Sequence, residues 1–363
     1  MLEKNKMKTY IKYISYTFFK SLLYVFSIMI CLVFILNLLS ELDFFKEIET
    51  EIHLPIFLSI LNSPDMMFEM FPFIFLIATQ LFFIKLFNNN EIEIFKYSGL
   101  KNSKILLIIS ILSLISGILI TLLFYNFSSN LKNFYLELKS QYTTDGKYLA
   151  VITKNGLWIK DEINEKILII NSSKIEDNYL INSFITEFNK DYSVNKNIKS
   201  QKIDITNKNW LIYDVKIFKN NNYETKKYLE LETNFDYKKI KTLYSNLSSL
   251  NIFELYELRK NYIKLNYSIT DINLQLLKLI FYPLFLLLIT IFSSTIMFGS
   301  KKVKGATFKI SLGLFFSVII YYLNNFFFVL GSTERIPLIF SILIPLAILT
   351  LINTIMLDKI NEK

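Results

Sequence analysis

ILLIISILSLISGILITLLFYNF, residues 105–127, carries no charged side chain and is long enough to cross a hydrocarbon core roughly 30 Å thick, which takes about 20 apolar residues in a helix. The pattern recurs on both sides of it. Further windows of that length are Phe18–Leu39, Met66–Phe87, Ile272–Phe298, Ile310–Leu330 and Pro337–Leu357. The hydrophobic residues, 52% of the 363, are therefore gathered into spans rather than spread through soluble cores. The chain reads as a six-span integral membrane protein.

Lys4, Lys6, Lys8 and Lys12 give the first window the look of a secretory signal. The apolar run after Lys20 is too long for a signal core, and Glu41 to Glu51 is no small-residue cleavage site, so a retained span is expected. The net charge of +9 is concentrated at the N-terminus, in the 88–104 loop (Lys96, Lys101, Lys104) and in the 299–309 loop (Lys301, Lys302, Lys304, Lys309). These three segments share one side if the spans alternate, and the positive-inside rule makes that side the cytoplasm. The cations thus read as a topology signal and not as a nucleic-acid surface. Between the first two spans stand Glu41, Asp43, Glu47, Glu49 and Glu51 against Lys46, which agrees. Both termini are expected inside and residues 128–271 outside.

The expected organisation is spans one to three in 1–127 with a cytoplasmic helix at 88–104, a β-rich domain at 128–250, a connecting amphipathic helix at 251–271, and spans four to six in 272–363. The β-like runs are Tyr148–Thr153, Leu157–Lys160, Lys166–Asn171, Leu180–Phe188, Lys199–Ile205, Trp210–Phe218 and Tyr223–Leu231. Asp145-Gly146 and Asn155-Gly156 are hairpin-type dipeptides. Short strands at such spacing predict a sandwich or jelly roll. Alternation is broken in "LWIKD" and "WLIYDVKIF", which leaves the buried face undecided. Its edges are either shielded or open to a partner's strand. In Asn251–Leu265, Asn251 and Glu254 form an N-terminal box, with Ile252, Leu255, Tyr256 and Leu258 near one face. That helix serves either as a relay or as a strut.

Catalytic chemistry is sparse. Cys31 and His53 are the only residues of their kinds, so neither an intrachain disulfide nor a zinc site can be built. His53 lies in an expected external loop without a Ser or Cys partner, and Gly146-Lys147-Tyr148 lacks the spacing and hydroxyl of a P-loop. Within the spans the notable polar residues are Glu69, Lys85, Asn324 and Asn325, too few for a proton relay. Pro72 and Pro283 fit kinked, cavity-lining helices and ordinary membrane helices equally.

Between two apolar spans, "NNNEIEIFKYSGLKNSK" (88–104) reads as a complete short helix. Asn90 is the expected N-cap, Glu93 its capping-box partner and Gly99 the terminator. Glu91 and Glu93 suit the positive end of the helix dipole, Lys96 and Lys101 the negative end. Ile92 and Phe95 share a face, with Ile94 beside it. Such a helix either docks in a protein groove or lies on the membrane.

The three-span, β-domain, three-span layout, with several local strings, resembles the LptF/LptG permease family of the lipopolysaccharide-transport ABC exporter. "NEIEIFKYSGLKNSKI" is similar to the family's S-E-L-x-x-x-R-x-x-G-[IVL]-S pattern, with Glu91, Lys96 and Gly99 on the acidic, basic and glycine positions. "NGLWIKDE" and "NWLIYDVKIF" resemble its two tryptophan-centred strands, "LNIFELYELRKNYIK" the helix before the fourth span, and "IPLIFSILIPLAILTLINTIML" the last span. "NLLSELDFF" (Asn37–Phe45) and "PDMMFEMFP" (Pro64–Pro72) look more like LptG than LptF. The resemblance implies a periplasmic β-jelly-roll and a bacterial inner-membrane location.

It also implies a coupling helix, with Glu91, Ile92, Glu93, Phe95, Lys96 and Gly99, that docks on a separate cytoplasmic ATPase dimer. That dimer binds the ATP; the permease itself has no cofactor and is no enzyme. The implied partners are a second LptF/LptG-type subunit, a periplasmic bridge protein, a single-span LptC-like subunit and lipopolysaccharide. Where the family carries basic residues facing lipid A phosphates, this chain offers Lys46, and Glu69, Asn324 and Asn325 are the other candidate substrate contacts. Two other classes stay open: an FtsX-like scaffold coupling an ATPase to periplasmic events, and a membrane enzyme for a lipid-linked substrate using Glu69, Asp65 and His53.

Overall fold

The computed structural model describes residues 2–46, 51–142, 157–163, 166–176, 178–190, 192–219, 222–237, 240, 246–264, 267–299 and 306–361. Two compact units emerge, residues 1–132 with 270–363, and residues 133–269. The Tyr148–Thr153 run, the Asp145-Gly146 and Asn155-Gly156 dipeptides, Gly146-Lys147-Tyr148, Glu47, Glu49 and the loop lysines Lys301, Lys302 and Lys304 lie outside the described residues.

The apolar windows become helices α1 (Leu2–Phe44), α2 (His53–Asn88), α4 (Asn102–Leu119) continuing into α5 (Tyr125–Ser140), whose residues from Asn133 on belong to the second unit, α7 (Thr270–Gly299), α8 (Ala306–Ser332) and α9 (Leu338–Asn361). A short helix, α3 (Glu91–Tyr97), links α2 to α4. Among the described residues, six helices are long and apolar enough to cross a membrane, and the chain is a multi-pass membrane protein. Several run past their apolar windows. Thus α2 begins at His53, which corrects the expectation of a loop there; the imidazole lies 3.0 Å from Glu51.

Apolar packing discriminates weakly between helices in lipid, so close approach and polar contacts have to specify the arrangement. Asn37 donates to Ser63 (3.2 Å) and Asn62 to Asn37 (3.1 Å), joining α1 to α2. Ser113 and Thr290 share a 2.8 Å hydrogen bond between α4 and α7. Ser293 donates to the Leu76 carbonyl (2.8 Å) and Asn353 to that of Leu288 (3.0 Å), fixing α7 against α2 and α9. Each such bond stabilises by about 0.6 kcal/mol on average. Gly117 lets α4 approach the Pro283 backbone of α7: a Cβ there would stand 2.8 Å from the Pro283 Cα. Just beyond, Ile120–Phe124 forms one π-helical turn, with the Thr121 hydroxyl donating to the Gly117 carbonyl at 2.9 Å.

Among the described residues, the second unit holds an antiparallel sheet in the order β1-β2-β3-β4-β5-β6. Its strands are β1 (Leu157–Ile163), β2 (Lys166–Glu176), β3 (Tyr179–Phe188), β4 (Val194–Asp204), β5 (Asn209–Lys219) and β6 (Asn222–Glu232). All six expected runs from Leu157 onward become strands, most of them extended by a few residues. The described strands form a meander; the strand-crossing connectivity of the expected jelly roll is not seen among them. The buried face carries Leu157, Ile159, Leu168, Ile170, Ile185, Ile198, Trp210 and Ile212.

The broken alternation has a local cause. Asn182 and Asp214 sit at φ 50° and 48°, and in both strands the buried parity changes across that residue, from Leu180 to Ser183 and from Ile212 to Val215. Trp210 donates its indole N–H to the Phe235 carbonyl at 2.8 Å, whereas Trp158 faces out. Asp161 accepts from the Asn234 backbone N–H (2.9 Å) and side chain (2.8 Å). Glu187 accepts from Lys166 (2.9 Å), Lys196 (3.0 Å) and Asn195 (2.6 Å).

Helix α6 (Ile252–Lys264) begins at the expected box: the Asn251 N–H donates to Glu254 (2.9 Å) and the Glu254 N–H to the Asn251 side chain (3.0 Å). Its buried residues are Leu255 and Leu258, while Tyr256, expected on that face, is exposed.

Candidate functional site

The first candidate site is α3. Its C-terminus closes as expected on Gly99, at φ +79°, with the Gly99 N–H donating to the Lys96 carbonyl and the Leu100 N–H to that of Phe95, both at 2.9 Å. This is a Schellman closure, and it needs a residue at ease in the left-handed region. The N-terminus departs from the expected capping box. Asn90 is itself left-handed (φ 54°) and its side chain makes no capping bond. Glu91 instead accepts from Asn89 (2.9 Å) and from the Tyr13 hydroxyl (2.8 Å) on α1.

That arrangement reverses the apolar face read from spacing. Ile92 is buried, and Phe95 is half covered, its ring 6.4 Å edge-on from Tyr13. The free apolar side chains are Ile94 (57% exposed) and Tyr97 (91%), flanked by exposed Glu93 and Lys96. Ile92 and Phe95 thus hold α3 to its own chain, while Ile94, Tyr97, Glu93 and Lys96 form the surface another molecule can meet.

The second candidate is a pocket of about 140 Å³ between α2, α7, α8 and α9. It brings together three sequence candidates, Glu69, Asn324 and Asn325. Lys46, the fourth, is exposed in the turn after α1 and does not line it. Sequence reading missed Lys278, which donates to Glu69 at 2.8 Å and stands 5.9 Å from the Phe328 ring. A lone lysine in the "LQLLKLIFYP" run was itself a signal, because a cation inside a span needs a partner. One turn before Glu69 on α2, buried Asp65 pairs with Lys132 of α5. The two pairs tie α2 to its neighbours at this end of the bundle. The rest of the pocket wall is largely aromatic and aliphatic, including Phe73, Phe285 and Leu346.

Among the described residues, no three His, Cys, Asp or Glu side chains come together to hold a metal ion. Two spans keep little packing for themselves. Only 17% of the α1 window and 11% of the α8 window are buried, against 56% for α2.

A search of curated proteins returned no match. The family described as lipopolysaccharide export system permease LptF/LptG matches residues 12–359, nearly the whole chain, so the match covers the apolar helices, α3 and the sheet together. The chain belongs to the LptF/LptG family of lipopolysaccharide export permeases.

Proposed function

We propose that this chain is one permease subunit, of the LptG type, in an ABC exporter that extracts lipopolysaccharide from the bacterial inner membrane. A second LptF/LptG-type subunit completes the transport cavity, and a cytoplasmic ATPase dimer binds α3. The sheet unit lies in the periplasm beside a single-span LptC-like subunit and hands the lipid to a bridge protein. Both termini are cytoplasmic. The cargo surface is formed by the exposed faces of α1 and α8, with Lys46 at the outer end of α1.

The observation that carries this reading is the construction of α3. A helix of 7 residues is far too short to hold its shape alone. Here the Gly99 closure, buried Ile92 and the Tyr13–Glu91 hydrogen bond brace it, leaving Ile94 and Tyr97 displayed. A braced helix with a small exposed apolar tip and flanking charges suits a groove in a soluble partner. Because Tyr13 belongs to α1, a push on α3 reaches a cavity-lining span directly.

The test is purification of the tagged chain in mild detergent from its native cells. An ATPase and a second six-span protein should be recovered. Ile94→Ser combined with Tyr97→Ser should lower ATPase recovery at least roughly tenfold, the size of a hot-spot loss, while leaving the second permease subunit bound. Glu91→Lys, which breaks the brace and reverses its charge, should abolish ATPase recovery. Wild-type recovery with either variant would refute the docking role, and recovery of an ATPase without a second six-span protein would favour an FtsX-like scaffold.

A further inference from the structure

We infer that the pocket between α2, α7, α8 and α9 is a binding site for one bilayer phospholipid with a phosphoethanolamine headgroup. The inference needs only that these helices sit in a membrane.

Polar groups without partners on the pocket wall, partly buried Asn324 and exposed Asn325, point to a ligand once that wall faces a membrane. Asn324 and Asn325 line the pocket, and among the described residues neither carboxamide has a hydrogen-bond partner. An unpaired amide facing hydrocarbon is costly, so a polar group has to come from elsewhere. Lys278 has three N–H donors and gives one to Glu69 Oε1, which leaves two for an incoming acceptor. Glu69 is half exposed, at 51%, whereas Lys278 is mostly covered, at 23%. The carboxylate therefore opens to the mouth, with the lysine stem packed against the wall. Below this polar end the wall turns apolar through Phe73, Phe285, Ile289 and Leu346. Polar at one end and greasy at the other, such a slot matches a lipid entering from the side.

Charge selects the headgroup. Glu69 and Lys278 together are neutral, so a purely anionic head would bring an uncompensated negative charge beside Glu69 in a low-dielectric setting. A zwitterion adds none. Its phosphate oxygens accept from Lys278 and from the Asn324 and Asn325 amides, and its ammonium meets the Glu69 carboxylate at the mouth. A primary ammonium donates hydrogen bonds to that carboxylate, whereas a quaternary choline has no N–H to give. An acyl chain lies along the apolar wall of Phe73, Phe285, Ile289 and Leu346.

Two measurements on the full chain, purified in detergent and stripped of lipid, test this. In native mass spectrometry, dioleoyl phosphatidylethanolamine should bind roughly tenfold more tightly than the choline or glycerol lipid, the ratio expected for one charge-assisted hydrogen bond. Glu69→Gln should erase the preference for ethanolamine over choline, Lys278→Gln should weaken all three lipids, and Asn324→Val, which leaves the ion pair intact, should weaken ethanolamine binding. In the second measurement a photoreactive phosphatidylethanolamine in vesicles should label α7 and α8 of the wild-type chain at the pocket. Equal binding of the three lipids, tighter binding of the glycerol lipid, unchanged selectivity in Glu69→Gln, or labelling confined to α1 would overturn the assignment. Neither measurement involves the ATPase or the cargo, so its outcome is separate from that of the export reading.

Discussion

At Gly117 and Pro283 two helix backbones come as near as heavy atoms allow, and the missing side chain is what permits it. Gly117→Ala should force α4 off α7 and destabilise the membrane unit by about 1–3 kcal/mol, the usual cost of overpacking. Thermal unfolding in detergent reads this directly, and an unchanged midpoint would show that the contact is looser than described. Glu187 makes a prediction in the sheet. Burial pushes its carboxyl up, but hydrogen bonds from Lys166, Lys196 and Asn195 outweigh that and hold it below the ordinary Glu value of 4.5. A depressed value means the stabilisation is full above the unfolded-state value and is lost as pH falls through the lower folded-state value. Amide exchange in β3 and β4 should therefore accelerate as pH is lowered below about 4.5 beyond its intrinsic pH dependence, and Glu187→Gln should flatten that extra acceleration. Neither residue announces its role in sequence: a glycine in an apolar run and a glutamate in a strand look ordinary until the neighbour across the interface is known.

Among the elements, α3 and the sheet were legible to different depths. Gly99 as a terminator was readable, because the left-handed closure depends on a local residue preference. The capping box at Asn90 and Glu93 was not realised, since Glu91 is engaged by Tyr13, a partner 78 residues away. For the same reason helical spacing identified an apolar face on α3 but could not tell that Ile92 faces its own chain while Ile94 and Tyr97 face out. In the sheet, strand positions were readable and the buried face was not, because a left-handed residue within a strand shifts the parity of everything after it. Asp214 is such a residue, at φ 48°. Replacing it with valine should cost about 1–2 kcal/mol, because a β-branched side chain suits the left-handed region far less well than Asp does, while Asp214→Gly should be tolerated. Faster exchange along β4 and β5 in the valine variant alone would agree; equal effects of the two substitutions would remove the bulge explanation.

For the whole molecule, the uneven burial of the spans matters most. With 17% and 11% of their windows buried, α1 and α8 are the helices with faces to spare, as the proposed two-subunit cavity would require. Cys31 lies exposed on α1 and is the single cysteine of the chain, so it reports on that face without engineering. Alkylation of Cys31 by N-ethylmaleimide in detergent should slow when the proposed second permease subunit is co-expressed. An unchanged rate would place the subunit contact on another face.

The six spans, the strand positions, the Asn251–Glu254 box and the Gly99 terminator were determined by the sequence alone, because each rests on chain-local physics: hydrocarbon thickness, hydrogen bonding within a few residues, and backbone preference. Tertiary structure alone decided that Glu69 meets Lys278, that Asn324 and Asn325 share their pocket while Lys46 stands apart, and which side of α3 is free. Those outcomes depend on which helix lies beside which. In a bilayer, where one apolar face is nearly as good as another, that choice is made by sparse polar pairs and close glycine contacts between residues far apart in the chain.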